Sequence, residues 1–378
     1  MPHDLSQQQH YLRAALEQEK KPTGFLLGAG APMSIKVGGK QLIPGLEDLT
    51  ANVKGALKKD ESDALSTLIS DLPPADGKNL ESILNYVRAL AALPGTSDVR
   101  GIPMETFAIL DREICRIIRQ QVDQTLPKAH SAYLSLALWI GAVQRLSPIQ
   151  VFTTNYDLLL EQALERQKVT YFDGFMGSRE PVFDLQAIEE DVLPARWTLL
   201  WKLHGSINWS HDNAGNVVRR HPDATDERSA LIYPSNLKYD QSRRLPYLAM
   251  MDRLKAFLKR PGAILVSAGF SFRDQHINEM VEQSLRANPT ASVHALLHGK
   301  LDGYAEAVRL ASGLPNLTLA AADSAVVGTV VGKWANTVDA DGEASIEQLS
   351  SLGHFEAFGE FLQGLTGELP MKDDDPDE

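Results

Sequence analysis

The sequence predicts an α/β protein: a Rossmann-like parallel sheet with helices on both faces, interrupted by an all-helical insertion and lacking a zinc module. Three features point to it. Short apolar runs bounded by glycine or turn residues alternate with segments of helical periodicity, the mark of buried parallel strands and the helices that cover them. The first such run leads directly into Gly28-Ala29-Gly30, as a strand does when it ends at a phosphate-approach turn. The stretch 46–147 shows helical periodicity with no strand candidate.

Along the chain, Leu5, Leu12 and Leu16 lie on one stripe of an amphipathic helix over 4–20, which Lys20-Lys21-Pro22 ends. Gly24-Phe25-Leu26-Leu27 is the first strand. Within the insertion, Leu80, Ile83, Leu84 and Val87 keep a 3.6-residue period, as do Phe107, Leu110 and Ile114, and then Tyr133, Leu136 and Ile140. Pro73-Pro74, Pro94-Gly95, Pro103 and Pro127 separate these helices. Strands return at 149–153, with a helix over 156–167, and at 197–203. Asn208-Trp209 and Val217-Val218 suit a small hairpin, and 231–233 a short strand. Helix 245–258, strand 263–268, helix 274–285, strand 292–297, helix 304–310 and strand 316–319 complete the alternation, and 344–365 is a last helix. The resulting division is 1–45 (first helix, first strand and glycine loop), 46–147 (helical insertion), 148–335 (remaining sheet), 336–369 (C-terminal helical segment) and 370–378 (acidic disordered tail).

Composition excludes several classes. The chain has 378 residues, 43% hydrophobic and 23% charged, ordinary values for a globular protein. Its formal charge is −12, whereas a free-standing nucleic-acid binder carries a basic surplus to neutralise phosphates. Direct nucleic-acid binding is therefore not expected. The pairs Arg219-Arg220 and Arg243-Arg244 read as solvated turns. Cys115 is the one cysteine, so neither an intrachain disulfide nor a cysteine-rich zinc site can form. No cationic start leads into an apolar run, and no apolar stretch reaches the roughly 18–20 residues of a membrane span. The sequence reads as cytoplasmic.

Four segments stand at the carboxyl ends of predicted strands, where open α/β sheets bind ligands: Gly28-Ala29-Gly30, Thr153-Thr154-Asn155-Tyr156-Asp157, Leu203-His204-Gly205-Ser206 and Ala268-Gly269-Phe270-Ser271. Each alone has an ordinary structural explanation. The glycine pair serves a tight turn as well as a phosphate cradle. Asn155, Asp157 and Ser271 suit helix caps, and a buried histidine is commonly a core residue. The run Arg273-Asp274-Gln275-His276 reads as a helix start, with Asp274 favouring the helix dipole, and a place at the mouth of a cofactor site is the lesser alternative.

Together with Ile43-Pro44-Gly45, their order resembles the sirtuin cofactor site, where a Gly-Ala-Gly loop is followed by Ile-Pro, Thr-Gln-Asn-Ile-Asp, His-Gly and Gly-Thr-Ser. The resemblance spans about 24–330 and is closer to the sirtuin-like domains of bacterial antiphage systems, notably those paired with a HerA-type ATPase, than to protein deacylases. It implies NAD as substrate. Gly28, Ala29 and Gly30 would approach the pyrophosphate. Asp157 would hold the nicotinamide carboxamide with Ile43, and Asn155 would orient the ribose or the attacking water. His204 would contact a ribose hydroxyl and accept its proton. Gly269 and Ser271 would meet the adenine-side ribose and phosphate, with Thr154, Gly205 and Ser206 completing the site. The resemblance also implies a homo-oligomer docked on a hexameric ATPase that gates activity. Apolar residues of the insertion and of the last helix suit such contacts and suit an internal core equally.

Departures from the sirtuin pattern sharpen the reading. Pro32 stands where the family's glycine loop carries a serine, removing an amide donor, with Ser34 as substitute. The Asp-Phe-Arg that follows Ile-Pro in deacylases is absent: Pro44 leads to Gly45-Leu46-Glu47. The zinc module that shapes an acyl-lysine groove cannot form, so water is the natural acceptor. The expectation is an NAD hydrolase giving nicotinamide and ADP-ribose in antiphage defence. An NAD- or ADP-ribose-binding regulatory subunit and a nuclease are the alternatives, and deacylation ranks below both.

Overall fold

The computed structural model describes residues 2–74, 76–93, 98–178, 181–190, 193–212, 216–220, 246–335 and 351–367. Pro94-Gly95, the expected strand 231–233, Arg243-Arg244, the start of the expected last helix and the acidic tail lie outside the described residues.

The strands in chain order are β1 (Thr23–Leu27), β2 (Lys36–Val37), β3 (Lys40–Gln41), β4 (Gln150–Thr153), β5 (Tyr171–Phe172), β6 (Phe175–Met176), β7 (Val182–Phe183), β8 (Thr198–Lys202), β9 (Trp209–His211), β10 (Val217–Arg219), β11 (Ile264–Ala268), β12 (Ser292–Leu296), β13 (Leu317–Ala320), β14 (Ser324–Val327) and β15 (Val330–Lys333). One nine-stranded sheet has the order β15-β14-β13-β12-β11-β1-β4-β8-β5. From β13 to β5 all neighbours are parallel, and β14 and β15 close one edge as an antiparallel hairpin. The chain leaves β1 toward β4 and β8, then returns to β11 on the other side of β1. Open α/β sheets bind ligands at such a reversal of direction, which here falls at the carboxyl ends of β4, β1 and β11.

Both sheet faces are covered, so the central strands are rich in apolar residues. Every residue of β1, β8 and β11 is buried. Side chains alternate between two cores: Phe25 and Leu27 join one, Leu26 the other. The first core holds the helices Leu46–Ala56, Lys59–Ile69, Leu80–Ala91, Met104–Val122 and Ala132–Ala142. The second, on the opposite face, holds the helices Tyr247–Lys259, Gln275–Ala287 and Ala305–Ala311.

Several boundaries differ from the sequence expectation for local reasons. The helix expected over 156–167 runs Leu159–Arg166, because Asp157 Oδ1 accepts the Leu159 amide at 3.0 Å and holds residues 155–157 out as a loop. The helix expected from 274 starts at Gln275, with Asp274 as its N-cap. The last helix runs Phe355–Thr366, with Phe355, Phe358 and Leu362 buried in the chain's own first core. Of the two roles open to those apolar residues, the internal core is the observed one. The hairpin β14–β15 has no counterpart in the sequence expectation. Gly328 and Thr329 turn it with φ of 55° and 74°, as a two-residue hairpin turn requires. The expected hairpin at 208–218 is present as β9–β10, joined by β6 and β7 in a four-stranded sheet. Arg219, expected in a solvated turn, belongs to β10 and reaches Asp173 Oδ2 at 2.5 Å. Among the described residues no helix is long and apolar enough to cross a membrane, and no group of His, Cys, Asp or Glu could hold a metal ion.

Candidate functional site

The four strand-end segments converge over β11, β1, β4 and β8. The loop after β1 packs on the loop after β11 with almost no space between them. Gly28 donates its amide to Ala268 O at 3.0 Å, and Gly30 to Gly269 O at 2.9 Å. A Cβ at Gly28 would lie 2.4 Å from Gly269 O, and one at Gly269, whose φ is +66°, would lie 2.4 Å from Ala31 N. The glycines are therefore required by the contact between loops. The Ala31 amide donates to Gly28 O at 3.0 Å, so the amides of Gly28, Gly30 and Ala31 are all committed to backbone. Ala29 and Gly30 remain exposed. Ser34 donates its hydroxyl to Ala31 O at 2.8 Å, so its proton serves the local turn. Ile43 is buried in the core that holds Ala31 and Ile35.

The loop after β4 is stitched to the same place. Thr154 N donates to Leu27 O at 3.1 Å, and Asn155 N donates to Thr153 Oγ1 at 3.0 Å. The Asn155 side chain is buried, and its Nδ2 donates to Gly28 O at 3.0 Å. Asp157 is buried as well. Burial raises its carboxyl above the ordinary 3.8, against the opposing pull of Lys202 and of the Leu159 amide. Lys202, at the end of β8, is buried too. Its Nζ donates to Asp157 O and, at 2.9 Å, to Glu161 Oε1. Burial likewise raises Glu161, with Lys202 opposing.

The segment after β8 turns at Gly205, φ +90°, and lies against the β4 loop: Ile207 N donates to Tyr156 O at 3.0 Å. Ser206 is fully buried, with Oγ 3.5 Å from the same carbonyl. The His204 ring lies 6.4 Å from the Tyr156 ring, centroid to centroid. His204 Nε2 is 2.9 Å from Asp274 Oδ2. Ser271 is exposed and lines a cleft of about 490 Å³ with Asn278, Tyr304 and Arg309. Neither Asn155 nor His204 lines that cleft. Hydrogen bonds thus join the loops that carry Gly28, Gly30, Asn155 and Gly269, His204 and Ser206 lie against the β4 loop, Ile43 and Asp157 are buried, and Ser271 lines the cleft beside helix Gln275–Ala287.

Sequence reasoning gave two further residues a different role. Tyr133, read as a helix core position, comes from Ala132–Ala142 and carries its hydroxyl, buried, into the surroundings of Asn155 and Asp157. Burial and the charge of Asp157 push that hydroxyl well up, with nearby Asn155 opposing. Asp274, read as a helix start, also touches His204. Its place shortly after Ser271 carries no signal that it faces a histidine from another strand end.

Residues 149–312 match the family model described as a SIR2-like domain. The match includes Asn155, Asp157, His204, Gly269 and Ser271, while β1 and its glycine loop precede it. No curated protein matches the chain. Among solved structures, a Sir2 homologue in complex with NAD is 14% identical, covering 97% of this chain and 95% of that one, with a TM-score of 0.45. A mutant Sir2 homologue in complex with 2′-O-acetyl ADP ribose is 15% identical, covering 77% and 85%, with a TM-score of 0.38.

Proposed function

We propose that the chain is an NAD hydrolase that cleaves the nicotinamide–ribose bond with water as acceptor. The observation that carries this reading is the stitching together of the loops after β1, β4 and β11, with Asn155 Nδ2 on Gly28 O at 3.0 Å and the His204 ring, from the end of β8, 6.4 Å from the ring of Tyr156, the residue that follows Asn155. The match over 149–312 supports it. Departure of nicotinamide develops positive charge on the ribose, as in glycoside cleavage. Buried Asp157 would hold the carboxamide, Asn155 the ribose or the water, and His204 would take the proton, a role suited to an imidazole. Gating by assembly as a homo-oligomer with a HerA-type ATPase, in antiphage defence, belongs to the same proposal.

A second reading, a binding subunit for NAD or ADP-ribose, is favoured by one observation: the Asn155 amide is already committed to the glycine loop, as a purely structural residue's would be. Mass spectrometry of NAD products, with the chain alone and with candidate ATPase partners, separates the two. Nicotinamide and ADP-ribose should accumulate, and Asn155→Ala and His204→Ala should each lower turnover by about 100-fold or more. Stoichiometric retention of intact NAD supports the binding subunit, and unchanged turnover in both variants overturns the assignment.

A further inference from the structure

His204 and Asp274 come from different elements, the end of β8 and the cap of helix Gln275–Ala287. Their side chains are each 9% exposed, and Nε2 lies 2.9 Å from Oδ2. The carboxylate divides its work. Oδ1 accepts the amides of His276 at 3.0 Å and Ile277 at 3.3 Å, which fixes the carboxylate plane and leaves Oδ2 for the imidazole. The preceding backbone is itself held. Phe272 sits at φ 57°, a region that non-glycine residues rarely occupy. Its carbonyl accepts Asn278 Nδ2 at 2.7 Å, and its buried ring packs 5.0 Å from that of Phe270. A strained residue secured through both its carbonyl and its ring places the next turn, and with it Asp274, in one position.

We infer that Asp274 is the positioning residue for His204, fixing its tautomer and stabilising the imidazolium formed during turnover. An ionised carboxylate only accepts, so Nε2 carries the hydrogen and Nδ1 is the lone-pair nitrogen of the neutral ring. The inference rests on the hydrolase reading. In that reaction a water oxygen bonds to the ribose C1′ as the glycosidic C–N bond breaks. The electron pair of that bond goes to the nicotinamide nitrogen, and the water proton passes to the ribose hydroxyl that His204 contacts as that hydroxyl gives its own proton to His204 Nδ1. The Nε2 hydrogen stays between the two residues, and the imidazolium later releases its proton to solvent. Asp274 faces the ring from the helix cap and Tyr156 from the loop after β4; Arg273 and His276 flank Asp274 on its own segment.

The test uses Asp274→Asn and Asp274→Ser, which keep a capping oxygen for the helix and remove the carboxylate. Turnover should fall by about 100-fold or more with the KM for NAD changed by less than about threefold. The acid-side loss of activity should move to lower pH, because a base without its anionic partner protonates less readily. A structural role alone would not move that profile. Turnover and pH profile unchanged in both variants, while His204→Ala is inactive, overturn the inference and leave the hydrolase reading standing. If the native chain releases no nicotinamide, the hydrolase reading fails first. Nitrogen-15 NMR of the His204 ring then decides the pairing alone: an Nε2–H tautomer lost in Asp274→Ser supports it, and an identical ring titration in both proteins overturns it.

Discussion

Burial raises the Asp157 carboxyl above 3.8, with Lys202 opposing. The unfolded chain ionises from the ordinary value, while the folded chain holds its proton to higher pH. The folded state therefore binds more protons in that interval, and stability falls as pH rises through it. Asp157→Asn keeps an acceptor for the Leu159 amide and removes this dependence. Urea unfolding between about pH 4 and pH 7 should show a shallower decline for the variant. Part of the decline should persist, since burial raises Glu161 above 4.5 in the same direction. An unchanged slope would show that Asp157 ionises in the fold at no cost. Asp157 was legible in the sequence as part of a strand-end segment, but the direction of the shift was not. It depends on burial and on Lys202, which arrives from a neighbouring strand.

Contacts between elements leave these loops little room for added atoms. The β1 and β11 loops touch at glycine, with a Cβ at Gly28 only 2.4 Å from Gly269 O. Both neighbours are backbone, so neither can rotate away. Gly28→Ala should cost about 2–3 kcal/mol, and Gly269→Ala a similar amount, aggravated by its positive φ. The double variant should cost less than the sum, since the first substitution already separates the loops. Chemical denaturation of the single and double variants measures this, and full additivity would mean that the loops do not share one contact. The glycine cluster after β1 was marked in the sequence by its place behind an apolar run. Nothing local indicated that its partner surface would be a second glycine loop far along the chain.

Across the full chain, the C-terminal segment closes the first core. The Phe355 ring packs 5.0 Å from Tyr133 and that of Phe358 6.2 Å from Phe25, so the last helix bridges the Ala132–Ala142 helix and β1. Gly359 allows that approach: a Cβ there would lie 2.6 Å from Ala132 Cα. Phe358 is fully buried, and Phe358→Ala should cost about 3–5 kcal/mol through lost burial and the cavity left behind. A denaturation midpoint equal to the native one would place the helix outside the cooperative core. The parallel sheet, the helical stretch after β1 and the strand-end residues could all be read from sequence, because burial on both faces and helical periodicity are written locally in apolar spacing. Which loop meets which, the pairing of Asp274 with His204 and the inward folding of the last helix emerged with the three-dimensional arrangement. Those contacts join residues far apart in the chain and follow from strand order, which no local pattern encodes.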